Sequence, residues 1–381
     1  MKNSYNFDLF KKDLEDRKQM VLFVGAGINY SKDVKILWDD VINYLFEKTL
    51  SRHVIGKNIS TDDYCIIKKA LGIDSILSNE EIENGLSIKE IKDRYRIQQN
   101  AMFELNPLIK ASIVKSTLGD SYISFIQHYL YRQCNRTILQ SAFNECYALN
   151  VEIKIENRRF YTLYQIARMI ILCPFVKAVV TYNYDNYLRL AIDILWTQKD
   201  NFFTIEELDF INKKGRKNLV VSDISNNIYE HGLSEADLFI YHVHGYIPSP
   251  SEADSVSCNN IVLSLEEYYE DSRNVHTWQT ATQLHFLSHY TCLFAGLSLS
   301  DITTQRMLYY TKHCGNEEKI YHICSYNPPD DFTYKTAYHA LMDMKYEFHS
   351  LYGLTPIFAA DGYDNLYERI GNVINEILVK S

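Results

Sequence analysis

The stretch MVLFVGAGINYSKD, residues 20–33, constrains the fold more than any other part of the chain. Four apolar residues, Val21 to Val24, run straight into Gly25-Ala26-Gly27, and polar sequence follows. A short, continuous apolar run closed by glycines is the pattern of a strand buried on both faces. Such strands belong to parallel sheets covered by helices. The turn that ends this one lets backbone approach a ligand closely. Tyr30, however, stands where a G-x-G-x-x-G dinucleotide fingerprint would place its third glycine. Taken alone, the loop suits a ligand-free strand-to-helix turn as well as a phosphate site.

Downstream patterning extends the α/β reading. LWDDVINYLFEKTL, from Leu37, repeats its apolar positions with a helical period. Residues 52–158 lack convincing strands and carry several amphipathic runs, which predicts an all-helical insert. Strand and helix then alternate. Strands are expected in FVKAVVTYNYD (175–185), LFIYHVHGYI (238–247), NIVLS (260–264), TCLFAGLSLSD (291–301), KIYHICSY (319–326) and a short segment at Pro356–Phe358. Helices are expected between them, near 332–346, and at the close of the chain over 363–378. The stretch 197–235 is polar and irregular, and no element is assigned to it. The chain has only 14 glycines and 7 prolines among 381 residues, against the roughly 12% that average usage supplies. Few turn residues favour long helices over a many-stranded β protein.

Composition narrows the partners. Lys and Arg total 39 against 48 Asp and Glu, a net charge of −9. That is the wrong sign for a general nucleic-acid binder, so no direct nucleic-acid binding is expected. No run approaches the ~18 apolar residues of a membrane helix. The charged N-terminus has no apolar core of a signal peptide. The eight cysteines stand singly, with no C-x-x-C pair. Together these features predict a cytoplasmic protein with reduced thiols, away from membranes.

Four short motifs fall at the carboxyl ends of expected strands, where open α/β sheets bind their ligands. The first is the Gly25-Ala26-Gly27 loop. The second is TYNYD, Thr181 to Asp185, whose Asn183 and Asp185 share a side if strand alternation persists; either could equally cap the following helix. The third is HVHG, His242 to Gly245. Its histidines alternate onto one face, but no third ligand with metal spacing accompanies them, and His276, His285 and His289 lack the glutamate of H-E-x-x-H. A histidine at a strand end suits a general base in a cleft. The fourth is FAGLSLSD, in which Gly296 and Ser298 precede a helix capped by Asp301.

In their order and context these motifs resemble the sirtuin fold, specifically its bacterial sirtuin-like NADase branch. The resemblance covers residues 20–45 and about 175–379. It implies a Rossmann-like parallel sheet with helices on both faces, formed by residues 1–51 and 159–381, with the helical insert at 52–158. It implies that Gly25, Ala26 and Gly27 cradle the pyrophosphate of NAD+, with Asn29 and Thr181 also in the site. Asn183 would lie by the nicotinamide ribose and Asp185 near the carboxamide, with His244 as the catalytic histidine. Gly296 and Ser298 would line the adenosine side, with Asp301 also among the NAD-binding residues. Asn29 occupies a position where the family usually has Ser, and it can still donate and accept hydrogen bonds.

The four-cysteine zinc module of the family's protein deacetylases has no counterpart here, so a deacylase is disfavoured and no metal is expected. A module that binds NAD+ or ADP-ribose without turnover is the main alternative to an NAD+ hydrolase. The resemblance further implies an NAD-depleting effector of antiphage defence. Such an effector would be a homo-oligomer, paired with a HerA-type ATPase or a short Argonaute.

Overall fold

The computed structural model describes residues 2–31, 36–55, 106–147, 159–213, 219–225, 237–250, 261–273, 277–313, 319–325 and 335–359, with a few isolated positions besides. Seven strands form one sheet: β1 (Met20–Val24), β2 (Val176–Thr181), β3 (Val221–Ile224), β4 (Leu238–His242), β5 (Thr291–Ala295), β6 (Ile320–Ser325) and β7 (Leu354–Ala359). Their order is β3-β4-β2-β1-β5-β6-β7, and every pairing is parallel. This is the Rossmann-like α/β arrangement that the opening stretch predicts. β1 suits the centre because all five of its residues are apolar and buried, and all five residues of β5 beside it are buried too. Phe23 and Phe294 face each other in register, and their rings stack at 4.6 Å. After β4 the chain crosses to the other side of β1, so the direction of winding reverses between β1 and β5. Ligand crevices of open sheets form at such a reversal.

The chain divides into two compact units. The first comprises residues 1–36, 131–261 and 271–381 and holds the whole sheet. The helix Tyr161–Leu172 belongs to it and is buried nearly all round, which its apolar sequence YTLYQIARMIIL demands. The second comprises residues 37–130 and 262–270. In it, the helix Trp38–Ile55 packs against the helix Pro107–Leu118. The latter starts where it does because Asn106 Oδ1 accepts the Leu108 N–H at 2.9 Å and Pro107 needs no donor partner. Within the expected helical insert, the described residues form the helices Pro107–Leu118, Ser121–Gln133 and Arg136–Tyr147; positions 56–105 and 148–158 lie outside the described residues.

Two sequence expectations need correction, and a third gains detail. NIVLS does not form a strand: residues 261–263 are irregular and lead into the helix Leu265–Arg273. The backbone N–H groups of Leu263 and Ser264 both donate to Glu267 Oε2, at 2.7 and 2.8 Å, so they are spent on a helix cap and not on a sheet ladder. The polar stretch 197–235 is not irregular throughout, since it contains the helices Lys199–Phe202 and Ile205–Lys213 and the edge strand β3. The last strand runs over Leu354–Ala359, longer than Pro356–Phe358. The closing helix expected over 363–378 falls mostly outside the described residues. Among those described, no helix is long and apolar enough to cross a membrane.

Candidate functional site

The sheet register brings the four motifs to one level. Val24 pairs with Thr181 and with Ala295, and Thr181 pairs with His242. Four neighbouring strands therefore end in one row, and the loops beyond them form a single rim.

Each loop is joined to the next. Asn29, buried at the end of the first loop, donates from Nδ2 to Asp185 Oδ2 of the second at 3.1 Å. The second loop is held by Thr181, whose hydroxyl accepts the Asn183 N–H at 3.1 Å. The Asn183 carbonyl faces Nδ1 of His242, 3.3 Å away, at the start of the third loop. Tyr131 adds a second tie, accepting the Asn186 N–H on its phenol oxygen and donating to the Ile247 carbonyl. The third loop meets the fourth where His244 Nε2 lies 3.2 Å from Asp301 Oδ2, within ion-pair range but off the line of a straight hydrogen bond. The fourth returns to the first: Gly25 N–H donates to the Ala295 carbonyl at 3.1 Å and Gly27 N–H to Gly296 at 2.9 Å. Of the residues singled out in the sequence, Asn29 with Asp185 and His244 with Asp301 thus stand in direct contact. Ser298 is exposed on the rim and bonds to Ser300 at 2.6 Å.

The two carboxylates are tuned in opposite directions. Burial pushes Asp185 up to about 6, although the Tyr187 N–H, His242 and the Asn29 amide pull the other way. Burial would also raise Asp301, but the adjacent His244 imidazole and the N–H groups of Thr303 and Thr304 hold it below the ordinary carboxylate range. Those N–H groups reach Asp301 Oδ1 at 2.6 and 3.3 Å, so one oxygen caps the helix Ile302–His313 while the other faces His244.

Asn29 Oδ1 and Ser31 Oγ are buried and lack a hydrogen-bond partner. Buried polar atoms in native proteins rarely go unpaired, so these two are available to bond with water or a ligand.

His242 and His244 do not form a metal pair, because their side chains part. His242 Nε2 turns to Asp223 Oδ1 at 2.9 Å, and Arg189 Nη1 meets the other oxygen of Asp223 at 3.0 Å. Asp223 escaped sequence reasoning because it lies in β3. The only signal is a pair of apolar residues, Val221 and Ile224, on either side of Ser222 and Asp223. His285 and His289 are exposed on one helix, and their rings stack at 5.0 Å.

Residues 177–340 match the family model described as a SIR2-like domain. The matched span runs from β2 through the second, third and fourth loops. It covers less than half of the chain and is similar to SIR2-like domains. The search of curated proteins returned no match.

Proposed function

We propose that this protein is an NAD+ hydrolase that cleaves the bond between nicotinamide and ribose. The observation that carries the proposal is the closed rim of four loops, which sets the His244–Asp301 pair and the unpartnered Asn29 and Ser31 oxygens at the carboxyl ends of adjacent strands. In the reaction the C1′–N bond breaks and its electron pair leaves with nicotinamide, neutralising the pyridinium. Positive charge develops on the ribose, where fixed dipoles lower its energy. Water adds to C1′ and gives up a proton, so the products are nicotinamide, ADP-ribose and one proton. His244 would take that proton, with Asp301 orienting the ring and stabilising its charged form. Asn183 would position the water or the ribose hydroxyls. Asp185, when ionised, would accept from the carboxamide.

The test mixes purified protein with NAD+ and follows nicotinamide and ADP-ribose by chromatography. Release by wild type and its loss in Asn183→Ala and His244→Ala, with folding checked by circular dichroism, is the expected result. Equal release by the folded variants would sink the site assignment. Tight NAD+ binding without turnover would instead establish the non-catalytic module.

An enzyme of this kind would deplete NAD+ as an effector of antiphage defence. It would work as a homo-oligomer beside a HerA-type ATPase or a short Argonaute that senses infection. The resemblance of the motifs supports that role. Measuring the mass of the purified protein, alone and with the product of its neighbouring gene, tests it.

A further inference from the structure

Behind the fourth loop, three side chains converge. His322 and Cys324 stand two residues apart on β6, so they project to the same face of the sheet. His349 comes from the last turn of the helix Lys335–Leu351. All three are buried. His322 Nδ1 lies 2.9 Å from His349 Nε2, and Cys324 Sγ lies 3.2 Å from the first and 3.1 Å from the second.

The remaining ring nitrogens fix the tautomers. His322 Nε2 faces the Leu297 carbonyl at 2.9 Å, and His349 Nδ1 faces the Lys345 carbonyl at 2.6 Å. A carbonyl only accepts, so each of these nitrogens carries the proton. Nδ1 of His322 and Nε2 of His349 are then left with lone pairs aimed at each other and at the sulfur. The thiol proton can satisfy one of them, not both. Adding a proton to a ring would relieve the clash but place a charge in the interior, and no carboxylate of the described residues joins the three. A cation bound by all three resolves it.

We infer that His322, Cys324 and His349 form a metal site for a borderline-soft divalent ion of the zinc type. Imidazole and thiolate are the donors such an ion takes, and a ligating histidine typically gives its other N–H to a carbonyl, as both do here. Donors this close together can all reach one ion at about 2.0–2.3 Å if it lies off their plane, which leaves a fourth position for water. Binding displaces the thiol proton to solvent and leaves the thiolate on the metal. The site differs from a four-cysteine module in both residues and place, and it departs from the metal-free expectation of the sequence. It also reaches the rim: an ion on Nδ1 commits His322 to the tautomer whose Nε2–H holds the carbonyl of Leu297, between Gly296 and Ser298.

The test uses the full chain and needs no NAD+. After exhaustive dialysis, elemental analysis of wild type should find about one zinc per chain. The metal-stripped protein, titrated with cobalt(II), should develop the ligand-field bands of a four-coordinate site and a thiolate-to-cobalt charge-transfer band. Cys324→Ser should lose the charge-transfer band and most of the zinc. Should that variant fail to fold, a rise in the melting temperature of stripped wild type on adding zinc carries the proposal. Folded wild type that retains no zinc and gives no cobalt–thiolate band overturns it, as does a Cys324→Ser protein that keeps both.

Discussion

The backbone N–H of Gly27 donates to the carbonyl of Gly296 at 2.9 Å, and neither residue has room for a side chain. A Cβ on Gly27 would stand 2.8 Å from Gly296 Cα, and one on Gly296 would stand 2.4 Å from the Ile28 nitrogen. The glycines of two loops nearly 270 residues apart therefore account for each other. Gly296 also has φ +65°, a left-handed conformation. Gly296→Ala should lose the roughly 1–2 kcal/mol of that conformation and add a backbone clash that only separation of the loops can relieve. Gly353 is a fair comparison: its φ is +70°, but its nearest contact is a lysine side chain at 3.4 Å. Denaturant unfolding should find Gly296→Ala clearly less stable than Gly353→Ala. Equal losses would mean the two loops are not in close contact.

Asp223 links β3 to two side chains, the His242 imidazole on one oxygen and the Arg189 guanidinium on the other. The His242 side chain is only 2% exposed. Removing the carboxylate leaves the buried ring nitrogen without its partner, and an unsatisfied buried polar group costs about 1–3 kcal/mol. Because Arg189 is partly in solvent, Asp223→Ala should fall within that range. Asp223→Asn, which still offers an oxygen, should lose less. A thermal melt of Asp223→Ala indistinguishable from wild type would remove His242 as a brace of the Asn183 loop.

The legible parts of the fold were those written in consecutive residues. Val21–Val24, Val176–Thr181 and Thr291–Ala295 announce buried parallel strands because an apolar run ends in a small or polar residue. β3 was not legible, since this four-residue edge strand buries only its two ends and its middle reads Ser222-Asp223. NIVLS misled because a buried run resembles a strand, whereas Ser264 and Glu267 spell a helix cap three residues apart. The pairs Asn29–Asp185 and His244–Asp301 could not be read at all, because register across the sheet sets them and not spacing along the chain. His322 and Cys324 were adjacent enough to notice, but His349 joins them only once the helix that carries it is packed.

Asp301 performs two tasks that substitution can separate. Its Oδ1 caps the helix Ile302–His313 and its Oδ2 faces His244. Asparagine caps as well as aspartate, so Asp301→Asn should keep stability within about 1 kcal/mol of wild type. It removes the charge that favours the imidazolium, so under the proposed chemistry nicotinamide release should fall roughly 10-fold or more, in kcat and not in KM. The pH dependence of kcat should shift as well. Asp301→Ala should show the same catalytic loss together with about 1 kcal/mol of lost capping. An Asp301→Asn enzyme with wild-type kcat and pH profile would restrict the residue to the cap.

Asp185 gives a prediction about stability alone. Burial raises its carboxyl to about 6, against about 3.9 for an aspartate in an unfolded chain. The folded state thus holds the proton more tightly. Its contribution to stability is full below pH ~4 and is lost as pH rises through about 6. Asp185→Asn cannot ionise. Its amide can still accept the Tyr187 N–H, and after a flip of Asn29 it can donate to the Oδ1 that now lacks a partner. The variant should therefore gain on wild type as pH rises from ~4 and hold a constant advantage above ~7. Denaturant unfolding of both proteins at intervals from pH 4.5 to 8 measures the difference directly, and groups common to both cancel in it. A difference that stays flat would place the carboxyl in the ordinary range, and one that runs the other way would mean its charged form is favoured by the loop that surrounds it.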